Sequence, residues 1–356
     1  MQSKFRLLVV RLGAMGDILH ALPAVTALRI AHPEWIIDWV VEPKWSALLA
    51  TQDATCRDSL AASPRQPVVD RIHLAPAKEW ARNPLSGRTL GAIRQLRRTI
   101  RGCSYDAAID FQGAVRSAML GRFADCRLIG EAKPREGAAR WLFSERVATT
   151  GAHVIEQDYE LAAAIVGDQL NQVRPWLPID AQDAAWADSL LASSAGQPAV
   201  LINPGAGWGA KRWPVERYAA VARQLTARGC RILVNAGPGE ESIAEIIVNE
   251  TRGAATLLPP SIENLIALTR RVSLVIAGDT GPLHLACALG KPVVGIYGPT
   301  DPSRNGPFGT RFKVLRNPSS VRDHARREAP EAGLLTIQPD EVVAAAEELL
   351  QPETNL

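Results

Sequence analysis

The sequence lacks most of the devices that hold a metal or a covalent framework. Its five cysteines, Cys56, Cys103, Cys126, Cys230 and Cys287, are odd in number, and no two stand in CxxC spacing. That predicts a reducing compartment and neither a disulfide scaffold nor a zinc knuckle. There is no DxD pair, so nothing requires a divalent cation to hold a diphosphate. No apolar run approaches the roughly 18–20 residues of a membrane span. Arg11 interrupts the first apolar run too early for a signal peptide. Walker GxxxxGK[ST] and dinucleotide GxGxxG loops are missing as well. Charge of one sign is scarce: the net charge of +3 is too mild for a general nucleic-acid binder. A cytoplasmic protein is expected, with basic residues that allow contact with the inner face of the membrane.

What is present is ordinary for a globular protein. Hydrophobic residues make up 47% and charged residues 22% of the 356 positions, a length that suits two domains of about 150–180 residues. The charge is uneven, roughly +5 over residues 1–175 and −2 over the rest. Much of the excess lies between Lys78 and Arg101, with Arg82, Arg88, Arg94, Arg97 and Arg98 against the single acid Glu79. Such a stretch reads either as a solvated helix face or as a landing site for an anionic substrate.

Short runs apolar on both faces alternate with helix-like segments. FRLLVVRL precedes a helix at 17–31, and IIDWVVE and DAAIDFQG follow. The pattern restarts after residue 195 with PAVLINPGAG, helix 215–228, RILVNAG, helix 240–252, AATLLP, helix 261–270, LVIAGD, helix 282–289 and PVVGIYG. Strands apolar on both faces indicate parallel sheets covered by helices, an α/β doubly wound architecture. The proline-rich VRPWLPID and the turn-rich SSAGQP mark a break near 172–197. The expected organisation is therefore two Rossmann-like domains, 1–173 and 174–335, facing across a cleft, and a C-terminal helix within 336–356.

Six stretches carry polar groups at strand ends or helix starts. In RLGAMGDILHALP, Gly13 and Gly16 flank a turn and Asp17 opens a helix, where it could simply be the N-cap of a helix starting at Ile18. In AGDTGPLHLACALG, a helix begins at Thr280-Gly281 with free N–H groups suited to an anion, and His284 adds a donor. Helix capping by Asp279 or Thr280 is the plainer alternative. NPGAGWGAKRWP offers glycines for close phosphate approach and a mobile cation in Lys211; an incidental surface turn would look the same. In NAGPGEES, Glu240 or Glu241 stands where a ribose partner lies in nucleotide folds, or merely serves the helix dipole. Gln112 and Arg116 near DFQG, and His153 and Glu156 in HVIEQ, are further strand-end or helix-start polar residues.

The motifs LGAMGDILHALPAVTALR, IDFQG, NPGAGWGAKRWP and DTGPLHLACALGKPVVGIYGPTDP, in that order, resemble the ADP-heptose:lipopolysaccharide heptosyltransferases of glycosyltransferase family 9 over about residues 5–310. The resemblance implies a GT-B fold, inversion at the anomeric carbon, chemistry without metal or cofactor, an ADP-heptose donor and a Kdo-lipid A or related inner-core acceptor. It makes Asp17 the general base. It assigns Lys211 to the donor diphosphate and to charge stabilisation in the reaction, Gly205, Ala206 and Gly207 to the phosphate loop, and Glu241 to the ribose. It makes Asp279, Thr280, Gly281 and His284 the cradle of the ADP. The acceptor would meet Gly13, Gly16, Lys78, Arg82, Gln112, Arg116 and His153. The N-terminal motifs are similar to enzymes that add the first heptose, whereas the donor loop is more similar to those that add the second. A protein-directed heptosyltransferase, a nucleotide-sugar epimerase and a nucleotide-sugar-binding protein are the competing functions.

Overall fold

A computed structural model describes residues 4–52, 63–194, 196–259, 261–323 and 327–352; Cys56 lies outside these. The chain divides into two compact units, Met1–Ile179 and Asp180–Leu356.

The first unit runs β1 (Arg6–Val10), α1 (Met15–Ala31), β2 (Ile36–Val41), β3 (Arg71–Leu74), α2 (Ala77–Arg82), α3 (Gly87–Gly102), β4 (Ala107–Asp110), α4 (Val115–Gly121), β5 (Arg127–Glu131), β6 (Glu145–Val147) and α5 (Val154–Val166). Its six parallel strands lie in the order β3-β2-β1-β4-β5-β6. The central strands are buried almost throughout, which explains their uninterrupted apolar sequence. α1 is buried on nearly every side and tolerates Pro23 in its middle. α3 is the opposite case, a strongly amphipathic helix with only Thr89 and Ile100 buried.

The second unit runs α6 (Ala181–Ala192), β7 (Ala199–Asn203), α7 (Val215–Ala227), β8 (Arg231–Val234), α8 (Glu241–Glu250), β9 (Ala255–Leu257), α9 (Ile262–Thr269), β10 (Leu274–Gly278), α10 (Gly281–Ala288), β11 (Val293–Tyr297), α11 (Pro302–Asn305), β12 (Phe312–Arg316) and α12 (Pro339–Leu350). Its strand order, β12-β11-β10-β7-β8-β9, is that of the first sheet repeated. Local chemistry sets the helix starts: the Asp180 carboxylate caps α6 through Gln182 N at 2.7 Å, and the Ser261 hydroxyl caps α9 through Asn264 N at 3.2 Å. α12 is not a separate appendage, because Val342, Val343, Ala346 and Leu349 join the core of the second unit with Val200, Ile202 and Ile232.

In each sheet the order reverses once, between β1 and β4 and between β7 and β10. Helices leave these neighbouring strands toward opposite faces, which opens a crevice at the strand C-termini. Of the polar stretches singled out in the sequence, RLGAMGD and DFQG lie at the first of these points, and NPGAGWGAKRW and AGDTGPLH at the second.

Candidate active site

At the first switch point the chain leaves β1 through Arg11, Leu12 and Gly13. β4 supplies the other wall. Leu12 N donates to Gln112 Oε1 at 2.9 Å, and the Arg11 guanidinium donates through Nη1 to the Phe111 carbonyl. Asp110 anchors this second loop: its Oδ1 accepts from Gln112 N at 2.7 Å and Gly113 N at 3.1 Å, its Oδ2 from the Ser117 hydroxyl at 2.8 Å. Burial pushes the Asp110 carboxyl up to about 6, against those three donors.

Asp17 is not the N-cap. α1 begins three residues earlier than a cap at Asp17 requires, with Ala14 as N-cap, so Asp17 is the third residue of the helix. Its Oδ2 reaches back to Ala14 N at 2.9 Å, and its Oδ1 pairs with Arg11 Nη2 at 3.0 Å. The side chain remains 38% exposed, so a ligand hydroxyl can reach it. Arg11, itself buried, is the residue that sequence reasoning missed. The available signal was a cation leaving an apolar strand six positions before the acid. Gly13 is needed for contact: a Cβ there would stand 2.6 Å from Trp45 Nε1. Gly16 lies in the first turn of α1 beside Asp17.

The remaining acceptor candidates separate. Lys78 and Arg82 are exposed on α2, just after β3, and Lys78 is close enough to Lys44 to help lower its pKa, after burial. Arg116 is exposed in the first turn of α4. Gln112 and His153 are buried structural groups. His153 caps α5, accepting Ile155 N on Nδ1 at 3.2 Å, and meets the His20 ring edge-on at 5.6 Å. The basic stretch is not one patch, because α3 carries Arg94, Arg97, Arg98 and Arg101 along its solvent face toward the start of β4. That is the end of the strands opposite to Asp17.

At the second switch point β7 feeds the loop that ends in Lys211, and β10 feeds α10. Lys211 Nζ forms an ion pair with Asp279 Oδ2 and lies 4.2 Å from the centre of the Trp208 ring. Asp279 Oδ1 takes His284 Nε2 at 3.2 Å. Burial would raise the Asp279 carboxyl, but His284 and Lys211 hold it well below the usual carboxylate range. With both oxygens engaged, Asp279 does not cap α10. Thr280 occupies the N-cap position, and its side chain makes no capping bond; the hydroxyl donates to Gly278 O at 3.3 Å. The first N–H groups of α10, from Gly281 on, have no partner within the helix and carry the positive end of its dipole.

Around this centre Asn235 donates to Asn203 Oδ1 at 2.6 Å, and Asn203 to Gly205 O at 3.4 Å, which fixes the loop of Gly205, Ala206 and Gly207. Of the two acids after β8, Glu240 points back toward this loop. Its Oε2 accepts from Gly237 N at 3.1 Å and would lie 1.9 Å from a Cβ on Gly205. Glu241 is exposed at the start of α8 and accepts from Gly239 N at 3.1 Å.

One group among the described residues has metal-ligand character away from both centres: Asp38, His73 and Cys103, with donor atoms within 4.8 Å of one another. Tyr105 already bridges it, donating to Asp38 and bonding His73 Nε2 at 2.7 Å, and Arg71 donates to Cys103 Sγ at 2.9 Å. The cluster ties β2, β3 and the end of α3 together.

Two doubly wound units, one with an accessible acid paired to an arginine and one with a lysine beside a helix N-terminus, define a GT-B glycosyltransferase. The chain belongs to glycosyltransferase family 9 (heptosyltransferase), whose family model matches residues 93–334. It is 29% identical to lipopolysaccharide heptosyltransferase 1 of Escherichia coli K12 over 322 residues, 88% of this chain and 94% of that protein. It is 24% identical to lipopolysaccharide heptosyltransferase 2 of the same organism over 365 residues, 98% and 99% of the two chains. The structure of E. coli heptosyltransferase WaaC with ADP-2-deoxy-2-fluoro heptose superimposes with a TM-score of 0.76 at 27% identity, covering 97% of this chain and 99% of that one.

Proposed function

We propose that this enzyme transfers heptose from ADP-heptose to the Kdo of the lipopolysaccharide inner core, with inversion and without a metal. The first unit takes the acceptor and the second the donor. The observation that carries the reading is the pairing of chemistries at the two switch points: a solvent-reachable carboxylate paired with Arg11, and a lysine with helix N–H groups suited to a diphosphate. The full-length likeness to a heptosyltransferase with an ADP-heptose analogue gives the donor its identity.

In this mechanism Asp17 takes the proton of the acceptor hydroxyl while that oxygen attacks the anomeric carbon from the face opposite ADP. The bond from that carbon to the diphosphate oxygen breaks, and the electron pair leaves with ADP. Lys211 and the N–H groups at the start of α10 meet the negative charge that grows on the leaving diphosphate. Asp279 holds Lys211 and His284 in place; as an ionised acid it repels phosphate rather than cradling it. Glu240 or Glu241 receives the ribose hydroxyls. Lys78 and Arg82 receive the acidic groups of the acceptor.

The higher identity to heptosyltransferase 1 favours the first heptose position. The 98% coverage against heptosyltransferase 2 makes the second heptose position the alternative acceptor. A lipid-linked acceptor would bring the enzyme to the cytoplasmic face of the inner membrane. No helix among the described residues is long and apolar enough to cross a membrane, and the exposed arginines of α3 suit an anionic surface.

The test is incubation with ADP-heptose and a panel of Kdo-lipid A and heptosylated acceptors, read by mass spectrometry. Transfer of one heptose to Kdo-lipid A is expected. Asp17→Asn should abolish transfer with ADP affinity intact, and Lys211→Ala should weaken ADP binding as well as rate. Turnover by Asp17→Asn at the wild-type rate would remove Asp17 from the mechanism.

A further inference from the structure

One buried acid in the first unit has no place in this chemistry. Asp158 lies on α5, which packs along α1. It is 3% exposed, and its Oδ2 has no hydrogen-bond partner among the described residues. Its helix neighbours Ile155, Leu161 and Ala162 are buried apolar residues, and stability alone would favour a leucine at this position.

Arg11 supplies the counterpart. Its Nη2 serves Asp17 and its Nη1 the Phe111 carbonyl, while its Nε is buried without a partner. After burial, the largest influences on Asp158 are the charges of Arg11, then Asp17, then Glu131. A donor lacking an acceptor and an acceptor lacking a donor therefore share one buried neighbourhood beside the base.

We propose that Asp158 is a positioning residue for Asp17: it holds Arg11 Nε, directly or through one buried water, and so fixes the guanidinium that orients the base. The proposal rests on Asp17 being that base. A water with two or three polar partners is common in such a place. Asp17 and Glu131 are the other acids whose charge reaches Asp158; Asp17 pairs with Arg11, and Glu131 accepts from the Thr149 hydroxyl at 3.1 Å. Burial pushes the Asp158 carboxyl up to about 8. At neutral pH it is uncharged and accepts from Nε without competing with Asp17 for the charge of Arg11.

The other ionisable groups on elements packed against α5 are engaged elsewhere. Asp110 on β4 is held by Ser117, Gln112 and Gly113. On β6, Glu145 pairs with Arg127, and Arg146 donates to the Arg140 carbonyl. His20 on α1 meets His153. On α5 itself Glu156 bonds His153 N and Glu160 bonds Thr150. Above about pH 8, Asp158 ionises, draws Arg11 away from Asp17, and turnover falls.

The experiment compares Asp158→Leu and Asp158→Asn with the wild-type enzyme, using ADP-heptose and the acceptor it accepts. Asp158→Leu should lower kcat by about tenfold or more, with ADP affinity and the ADP-heptose KM within about twofold of wild type. Asp158→Asn keeps a carbonyl for Nε. It should restore most of kcat at neutral pH and lose the wild-type decline above about pH 8. Wild-type turnover by Asp158→Leu, or a pH profile of Asp158→Asn that superimposes on the wild type, would overturn the proposal. If the leucine variant does not fold, the asparagine pH profile decides alone. Wild-type turnover by Asp17→Asn would instead remove the base, and is read separately.

Discussion

Arg11 joins more parts of the first switch point than any residue recognised in the sequence. Its carbonyl accepts from Trp39 Nε1 at 3.0 Å, its N–H donates to Val40 O at 3.3 Å, and its guanidinium spans Asp17 and Phe111. A lysine has a single donor centre and cannot serve a carboxylate and a carbonyl with the same fork. Arg11→Lys should therefore lower kcat by roughly tenfold and leave ADP affinity unchanged, because the donor residues all lie after residue 179. Rates and ADP titration on the same preparation check this; loss of ADP affinity would count against it. Asp17 and Lys211 were legible because glycine turns after apolar strands advertise them. Arg11 and Asp158 were not. A lone arginine at a strand end and a lone aspartate in an apolar helix look alike whether they are solvated or buried, and their partners lie far away in sequence.

Among the elements, the buried strands and their helices follow the sequence pattern closely, and the short outer strands do not. β3, β5, β6 and β12 have three to five residues, mix Arg71, Arg127, Glu131, Glu145 and Lys313 into their pattern, and so show no continuous apolar run. Pairing with a neighbouring strand, which no local pattern displays, makes them strands. The start of α1 was misjudged for a related reason. An aspartate ahead of an apolar helix reads as its cap, yet Met15 and Gly16 already belong to the helix, and Ala14 is its N-cap. The loop after β4 depends on Gly113, which sits at φ +64 with room for no side chain, since a Cβ would lie 2.9 Å from Arg135 N. Gly113→Ala should destabilise the protein by about 1–3 kcal/mol, measured as a lower urea midpoint with an unchanged slope. An unchanged midpoint would mean that the loop has another conformation to adopt.

For the molecule as a whole, two buried acids set part of the pH dependence of stability. The folded protein keeps the proton of Asp110 to about pH 6 and that of Asp158 to about pH 8. The unfolded chain releases both near pH 4. Folding thus binds protons in this range, and the contribution of these groups to stability declines as pH rises from about 4 to 8. Asp158→Asn has no such proton. Its urea stability relative to wild type should rise between pH 5 and about pH 8, and equal differences at both pH values would refute the assignment. Asp279 acts in the opposite sense, since its lowered pKa favours the folded state until strong acid protonates it. The same strand order in both units puts each centre in its own crevice, and this repetition could be read from the alternation of strands and helices alone. The pairing of Lys211 with Asp279 has a consequence in ionic strength. Before any ligand arrives, the lysine already has its counter-ion, and the two charges of the pair offset one another. The pair itself then presents little long-range field for added salt to screen. Recognition of a diphosphate there depends on short-range N–H geometry, which salt leaves largely intact, while salt acts mainly on the exposed cations of the first unit.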